Sequence, residues 1–156
     1  MKAYTFVHSY ICGIQVGIQA GHSNVELMRK EEGDSDVREW ADHHKTFVWL
    51  DGGDSEKLND VINIMQESGM PYAYFNEPAL KCSSADEDDA GLVTAATVLL
   101  STEMVEAADY IRRFRLLLNG TGFHNPDGSF NPVGNDFGNG EKMLIWLIAN
   151  SRSKSL

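Results

Sequence analysis

Gln15, Gln19 and His22 fall at i, i+4 and i+7 in the stretch Ile11-Cys12-Gly13-Ile14-Gln15-Val16-Gly17-Ile18-Gln19-Ala20-Gly21-His22. On a helix that spacing puts two amides and an imidazole on one face. The amides donate and accept hydrogen bonds, and neither titrates. Tyr10, just upstream, has a ring on which a planar ligand can stack. Beside the polar row, Ile11, Ile14, Ile18, Gly21, Val25 and Met28 form an apolar stripe at helical spacing. Gly17 and Gly21, with Ala20, leave a side without bulk. A glycine inside a helix costs about 0.5–1 kcal/mol against alanine, so a sheet or a ligand is expected to come close there. The plainer alternative is a tightly packed helix with a solvated Gln/Gln/His edge.

Elsewhere the chemistry is sparse. There is no phosphate-binding glycine loop, zinc signature or serine nucleophile elbow. His43 and His44 are adjacent and point apart on a helix, so they do not pre-form a metal site. The carboxylates at 86–89 read as a solvated loop, because blocks of like charge repel and stay exposed. Asp51, Asp54 and Glu56 read as turn and cap residues.

The elements that must position these groups follow from pattern. Residues 3–8 form a β-branched, aromatic strand, and a helix follows over 14–30. A polar break at 31–36 holds a cap at Ser35 or Asp36. A short helix over 37–44 is anchored by Trp40. Residues 45–50 form a buried strand, and 51–54 turn. Residues 55–68 form an amphipathic helix capped by Asp54 or Ser55 and stopped by Gly69-Met70-Pro71. Strands follow at 72–76 and 92–100, separated by an acidic loop at 81–90. A helix opened by Ser101 runs to about 118. The pattern predicts an α/β fold with a mixed four-stranded sheet covered by helices in three layers.

Residues 119–140 break the pattern. Phe123, Phe130 and Phe137 recur every seven residues among Asn, Asp and Gly. About 20 structureless residues are uncommon inside a compact domain, so an ordered loop packed on something is expected. The apolar segment 141–150 reads as a buried helix, against its own domain or a neighbouring subunit. The division is thus an α/β domain at 1–118 and a loop plus C-terminal helix at 119–156.

Composition narrows the partners. The 156 residues carry 13 Lys+Arg against 23 Asp+Glu, a net charge of -10. Phosphate backbones and anionic membranes are bound through Lys and Arg, so such surfaces are poor partners. Two cysteines without a C-x-x-C fit a reducing compartment. The N-terminal residues lack a signal-peptide pattern, and the longest late apolar run, at 143–149, is far below the roughly 20 residues that span a bilayer. A cytoplasmic location is expected, in a cell or in a virus-infected host.

The chain resembles the archaeal/eukaryotic-type peptidyl-tRNA hydrolases. Gln19-Ala20-Gly21-His22 is similar to the family's Gln-x-Ala-His on its first helix, and Trp40 precedes the second strand as the family's tryptophan does. Gly69-Met70-Pro71-Tyr72 is similar to its Gly-Leu-Pro-Tyr, and Thr97-Val98-Leu99 to its Thr-Val-Leu. The resemblance covers about residues 3–118 and implies the same α/β frame. It also exposes departures. The family enters its first helix through Gly-Lys-Gly-Lys after an aspartate, whereas here Gln15 takes the last lysine's place and Cys12, Gly13 and Ile14 precede it. No lysine lies between Lys2 and Lys30. Glu77 stands for the aspartate after the third strand, Lys81 for its threonine, and Val93-Thr94-Ala95 for its Pro-Gly-Thr.

Ester cleavage at a tRNA end needs a group to activate water and a cation for developing charge. Gln15 cannot be that cation. The expectation is therefore a non-catalytic binder of a small nucleotide-like ligand, using Tyr10, Gly13, Gln15, Gln19 and His22, with no cofactor and no metal. Its concrete form is a phage sponge for a cyclic nucleotide immune signal. A homo-oligomer, dimer or tetramer, is expected, and no membrane. The alternative is a peptidyl-tRNA hydrolase with a remodelled site built on Glu77 and Lys81, in which case tRNA is the partner. A pure interaction module with an acidic coat ranks third.

Overall fold

A computed structural model describes residues 1–80 and 91–156. The expected acidic loop, with Lys81 and the carboxylates at 86–89, lies outside the described residues. The chain is α/β: a four-stranded sheet in the order β2-β1-β4-β3 and a smaller sheet in the order β5-β6-β7. Strand β1 (Lys2–His8) runs parallel to β2 (Phe47–Gly53) and antiparallel to β4 (Leu92–Leu100), which pairs antiparallel with β3 (Tyr72–Glu77). The main sheet is therefore mixed, as the pattern predicts.

Helix α1 (Ile14–Lys30) lies on one face of the sheet, against β1, β3 and β4. On the other face, α3 (Ser55–Ser68), α4 (Thr102–Phe114) and α5 (Asn139–Asn150) close a single apolar cluster with Tyr4, Phe6 and Leu50. Helix α5 packs against both α3 and α4. The strand alternation explains the split: Ala3, Thr5 and Val7 point to α1, while Tyr4 and Phe6 point to the larger cluster.

Several starts and stops follow local chemistry. The Asp54 side chain accepts from Lys57 N at 2.9 Å, and the Ser101 side chain accepts from Met104 N at 3.3 Å, capping α3 and α4. Gly69 ends α3 with φ 72, the left-handed conformation that glycine adopts without a Cβ clash.

Other boundaries differ from expectation. The cap ahead of α2 (Ser35–Glu39) is Asp34, not Ser35 or Asp36; its carboxylate accepts from Asp36 N and Val37 N at 2.8 and 3.0 Å. A run of several cap-competent residues leaves the choice to geometry. The expected helix at 37–44 divides into α2 and a π-helical turn over Trp40–His44. Residues 51–53 are the end of β2, where a turn was expected. Helix α4 stops at Phe114, not near 118, because Arg115 turns left-handed (φ 53). The chain then forms β5 (Leu117–Asn119).

The Asn/Gly/Phe segment is not structureless. It carries β6 (Gly122–His124) and β7 (Phe130–Asn131), paired antiparallel with each other and, through β6, with β5. Phe123 is buried in the main apolar cluster and Phe137 packs on it, while Phe130 stays half exposed. Strands of two and three residues are too short to show a period-2 pattern, so the sequence reads as loop.

The residues after α5 return to the main sheet. Asp51 N donates to Arg152 O at 2.9 Å and Lys154 N to Trp49 O at 3.0 Å, with a bridge between Leu50 and Ser153. The outer edge of β2 is thereby paired over these residues.

Candidate functional site

Helix α1 is turned the other way from a simple hydropathy reading. Its buried residues are Val16, Gln19, Ala20, Ser23, Asn24 and Leu27. From Ile14 onward the apolar stripe faces water, Ile14 being 80% exposed, Val25 55% and Ile18 41%, whereas Ile11, ahead of the helix, is buried. The close approach suggested by the glycines is by the sheet. Ala20 packs with Val7 and Ala95, and a Cβ at Gly17 would touch the Trp49 ring, while one at Gly21 would meet none of the described residues.

The buried face is polar because the sheet below offers hydroxyls. The Thr5 and Thr97 hydroxyls lie 2.8 Å apart, and the Ser23 hydroxyl sits 2.8 Å from that of Thr97. Asn24 donates to Thr5 Oγ1 and to Ala20 O. Asn24 Oδ1 is buried with no partner among the described residues. At the N-terminal end of this seam, Gln19 takes two partners. Its Nε2 donates to Glu77 Oε2 at 2.9 Å, and its Oε1 accepts from the Thr94 hydroxyl at 2.5 Å. Thr94 reaches the helix because the pairing of β3 with β4 shifts there, Phe75 facing Ala95 and Asn76 facing Val93. A bulge of this kind re-aims a side chain.

Above Gln19 opens a cavity of about 490 Å³, lined by Tyr10, Ile11, Cys12, Gln15, Gln19, Glu77, Ala79 and Leu80. It sits past the carboxyl end of β1, where ligands bind in α/β sheets. Tyr10 is 73% exposed, so its ring is open to a stacking partner. Gly13 forms the N-cap of α1 with φ 59; a Cβ there would meet open space but would strain the backbone. No side chain of the described residues caps α1, and its first turn carries no acid. The positive end of the helix dipole is left to water or to an anion.

Glu77 is half-buried beside Gln19 in the cavity lining. The Gln19 amide beside it holds its carboxyl below the usual carboxylate range, helped by the Ala79 N–H and by the charge of His22. The carboxylate is thus ionised at neutral pH, with both oxygens oriented and lone pairs to spare. Gln19 keeps one N–H for a ligand. The two fixed groups form the floor of the cavity.

Of the residues singled out by sequence, Tyr10, Gln15, Gln19 and Glu77 therefore meet around one space, with Gly13 next to its lining residue Cys12. His22 stands apart: its ring stacks on Phe75 with centroids 4.6 Å apart. Lys81 lies outside the described residues. Gln19, which the plainer alternative put on a solvated edge, is buried. Thr94 was not among the residues singled out; the unusual run of Thr5, Thr94 and Thr97 in otherwise apolar strands was its signal.

A second polar arrangement also escaped the motif reading. His8 lies 3.1 Å from the Ser55 hydroxyl through Nε2, while its Nδ1 accepts from Tyr10 N. Burial pushes the His8 pKa down. The neutral ring with Nδ1 as acceptor carries its proton on Nε2 and donates to Ser55. It cannot take the serine's proton, so the pair is a helix-start contact and not an activated nucleophile. His43 and His44 sit beside Glu39 on the surface, at 3.8 and 3.7 Å. Among the described residues no three His, Cys, Asp or Glu side chains gather to hold a metal, and no helix is long and apolar enough to cross a membrane.

Site and frame together define an α/β protein with a small-molecule-sized cavity at the first strand–helix junction. Comparison with models of known protein families finds no match, and comparison with curated protein sequences finds none either.

Proposed function

We propose that the chain is a non-catalytic binder of a small nucleotide-like molecule, held in the cavity at the start of α1. The observation that carries this is the exposed Tyr10 ring beside an uncapped helix N-terminus, over a floor of pre-oriented Gln19 and Glu77. A base stacks on Tyr10, a phosphate takes the α1 N–H groups, and Glu77 accepts from an amino or hydroxyl group. The volume falls in the usual range of small-molecule sites. In this reading the frame is peptidyl-tRNA-hydrolase-like, with Gln15 in place of the lysine that charge-stabilising catalysis would use. The concrete form is a phage sponge that sequesters a cyclic nucleotide signal of bacterial immunity. Isothermal titration against cyclic mono- and dinucleotides tests it. Saturable heat with at least one is expected, weakened about tenfold or more by Tyr10→Ala, since a base–aromatic stack contributes roughly 1–3 kcal/mol. Absence of heat with every nucleotide overturns the proposal.

The runner-up is a remodelled peptidyl-tRNA hydrolase with Glu77 as base, favoured by the carboxylate's place in the cavity lining. Against it, a carboxylate held below its usual range is a weak base at neutral pH. Cleavage of peptidyl-tRNA by the wild type, lost in Glu77→Gln, would establish this reading; an inactive wild type removes it.

A further inference from the structure

The solvent face of α1 carries Ile14, Ile18, Gly21, Val25 and Met28, spaced 4, 3, 4 and 3 residues apart. That is the a/d spacing of a coiled-coil seam. All four side chains are at least 38% exposed, and Gly21 has open space where a Cβ would be. Among the described residues none buries this strip, because α1 turns its opposite, polar face to the sheet.

We infer that this face docks on the same face of a second copy of the chain, the two α1 helices running antiparallel. The face is self-complementary in that register. Ile14 of one copy meets Val25 of the other, and Ile18 drops into the notch over Gly21, with the same contacts repeated across the two-fold axis. Charge selects the same surface. The chain carries a net charge of -10, yet no Asp, Glu, Lys or Arg lies between Lys2 and Glu26. Two copies meet with least like-charge repulsion on this strip. Antiparallel helices also oppose their dipoles.

Size sets the strength. A 17-residue helix is about 25 Å long and about 10 Å wide, well short of the roughly 800 Å² per partner of a standard interface. Phe47 and Trp49, on the strand beside α1, and Tyr10 at its start enlarge the apolar surface. The pairing is accordingly reversible and concentration-dependent. It does not depend on the ligand reading, although it brings the two cavities to the same interface.

Sedimentation equilibrium on the full chain tests it. The mass is expected to climb from 17.3 kDa toward twice that value as protein concentration rises. Ile18→Glu and Gly21→Leu should both stay at the single-chain mass with unchanged circular dichroism, since neither position packs against the chain's own core. Orientation is read separately, in a Cys12→Ser, Cys82→Ser background. Ile14→Cys and Val25→Cys proteins should cross-link when mixed and oxidised, and neither should cross-link alone. A wild type that stays at 17.3 kDa at high micromolar concentration overturns the inference, as does a pairing that survives both substitutions. Cross-linking of Ile14→Cys with itself overturns the antiparallel register.

Discussion

On one face of the main sheet, Phe6, Leu58, Met65, Met104 and Ile111 belong to one continuous apolar cluster under three helices. On the other, Thr5, Ser23, Asn24 and Thr97 pass hydrogen bonds between the strands and a single helix. Apolar packing is non-directional and grows with area, so the first face carries most of the stability. Hydrogen bonds are directional and costly when half made, so the second face contributes less energy but fixes how α1 sits. The candidate site grows from that second face: Gln19 belongs to the polar seam and to the cavity floor alike. The hydroxyl layer lets α1 keep its apolar residues outside, where a further partner can use them.

Three measurements break or sharpen this contrast. The largest effect is expected from Phe6→Ala, which should lower unfolding free energy by about 3–5 kcal/mol in urea. A loss near 1 kcal/mol would mean that the apolar face is not the main source of stability. Thr97→Val keeps the shape and removes the hydroxyl shared by Thr5 and Ser23, so a loss of about 1–3 kcal/mol is expected. Combined with Ser23→Ala, the two losses should fail to add; additivity within about 0.5 kcal/mol would dissolve the network into independent bonds.

The smallest effects separate by pH. His8 has its pKa lowered in the fold from 6.5, chiefly by burial. The unfolded chain therefore takes up that proton first, and stability is full above 6.5 and falls as pH drops toward the folded value. Glu77 is lowered from 4.5, chiefly by the Gln19 amide, so its contribution is full above 4.5 and is lost as pH falls through its folded value. Melting temperatures across this range should lose the upper slope in His8→Gln and the lower one in Glu77→Gln. If both variants flatten the same window, the two groups do not titrate independently.

Much of the frame was legible because its signals are local. The Asp54 and Ser101 caps, Gly69 after α3 and the aliphatic runs of β1 and β4 each carry their own instruction. The orientation of α1 was not legible in the same way. Hydropathy periodicity assumes that the apolar stripe is the buried one, and here Thr5 and Thr97 on the sheet make the Ser23/Asn24 face the better fit. Within the site, Gln15 and Gln19 stood out by type and spacing and Glu77 only through the resemblance, whereas Thr94 depends on a strand irregularity that pairing alone creates. The small sheet of β5, β6 and β7 was hidden for a different reason: its shape comes from turns such as Asn125–Ser129, not from alternation.

The return of residues 152–154 to β2 has a consequence for how the chain is made. The Lys154 ammonium reaches back to the carbonyls of His8 and Ser9, across 146 and 145 positions. During synthesis β1 and β2 emerge early, yet the partner for the outer edge of β2 emerges only after α5. Until then an apolar edge carrying Phe47 and Trp49 has unpaired backbone groups, the usual template for edge-to-edge association. A chain lacking residues 152–154 would make that interval permanent, so it should be translated normally and then collect in inclusion bodies.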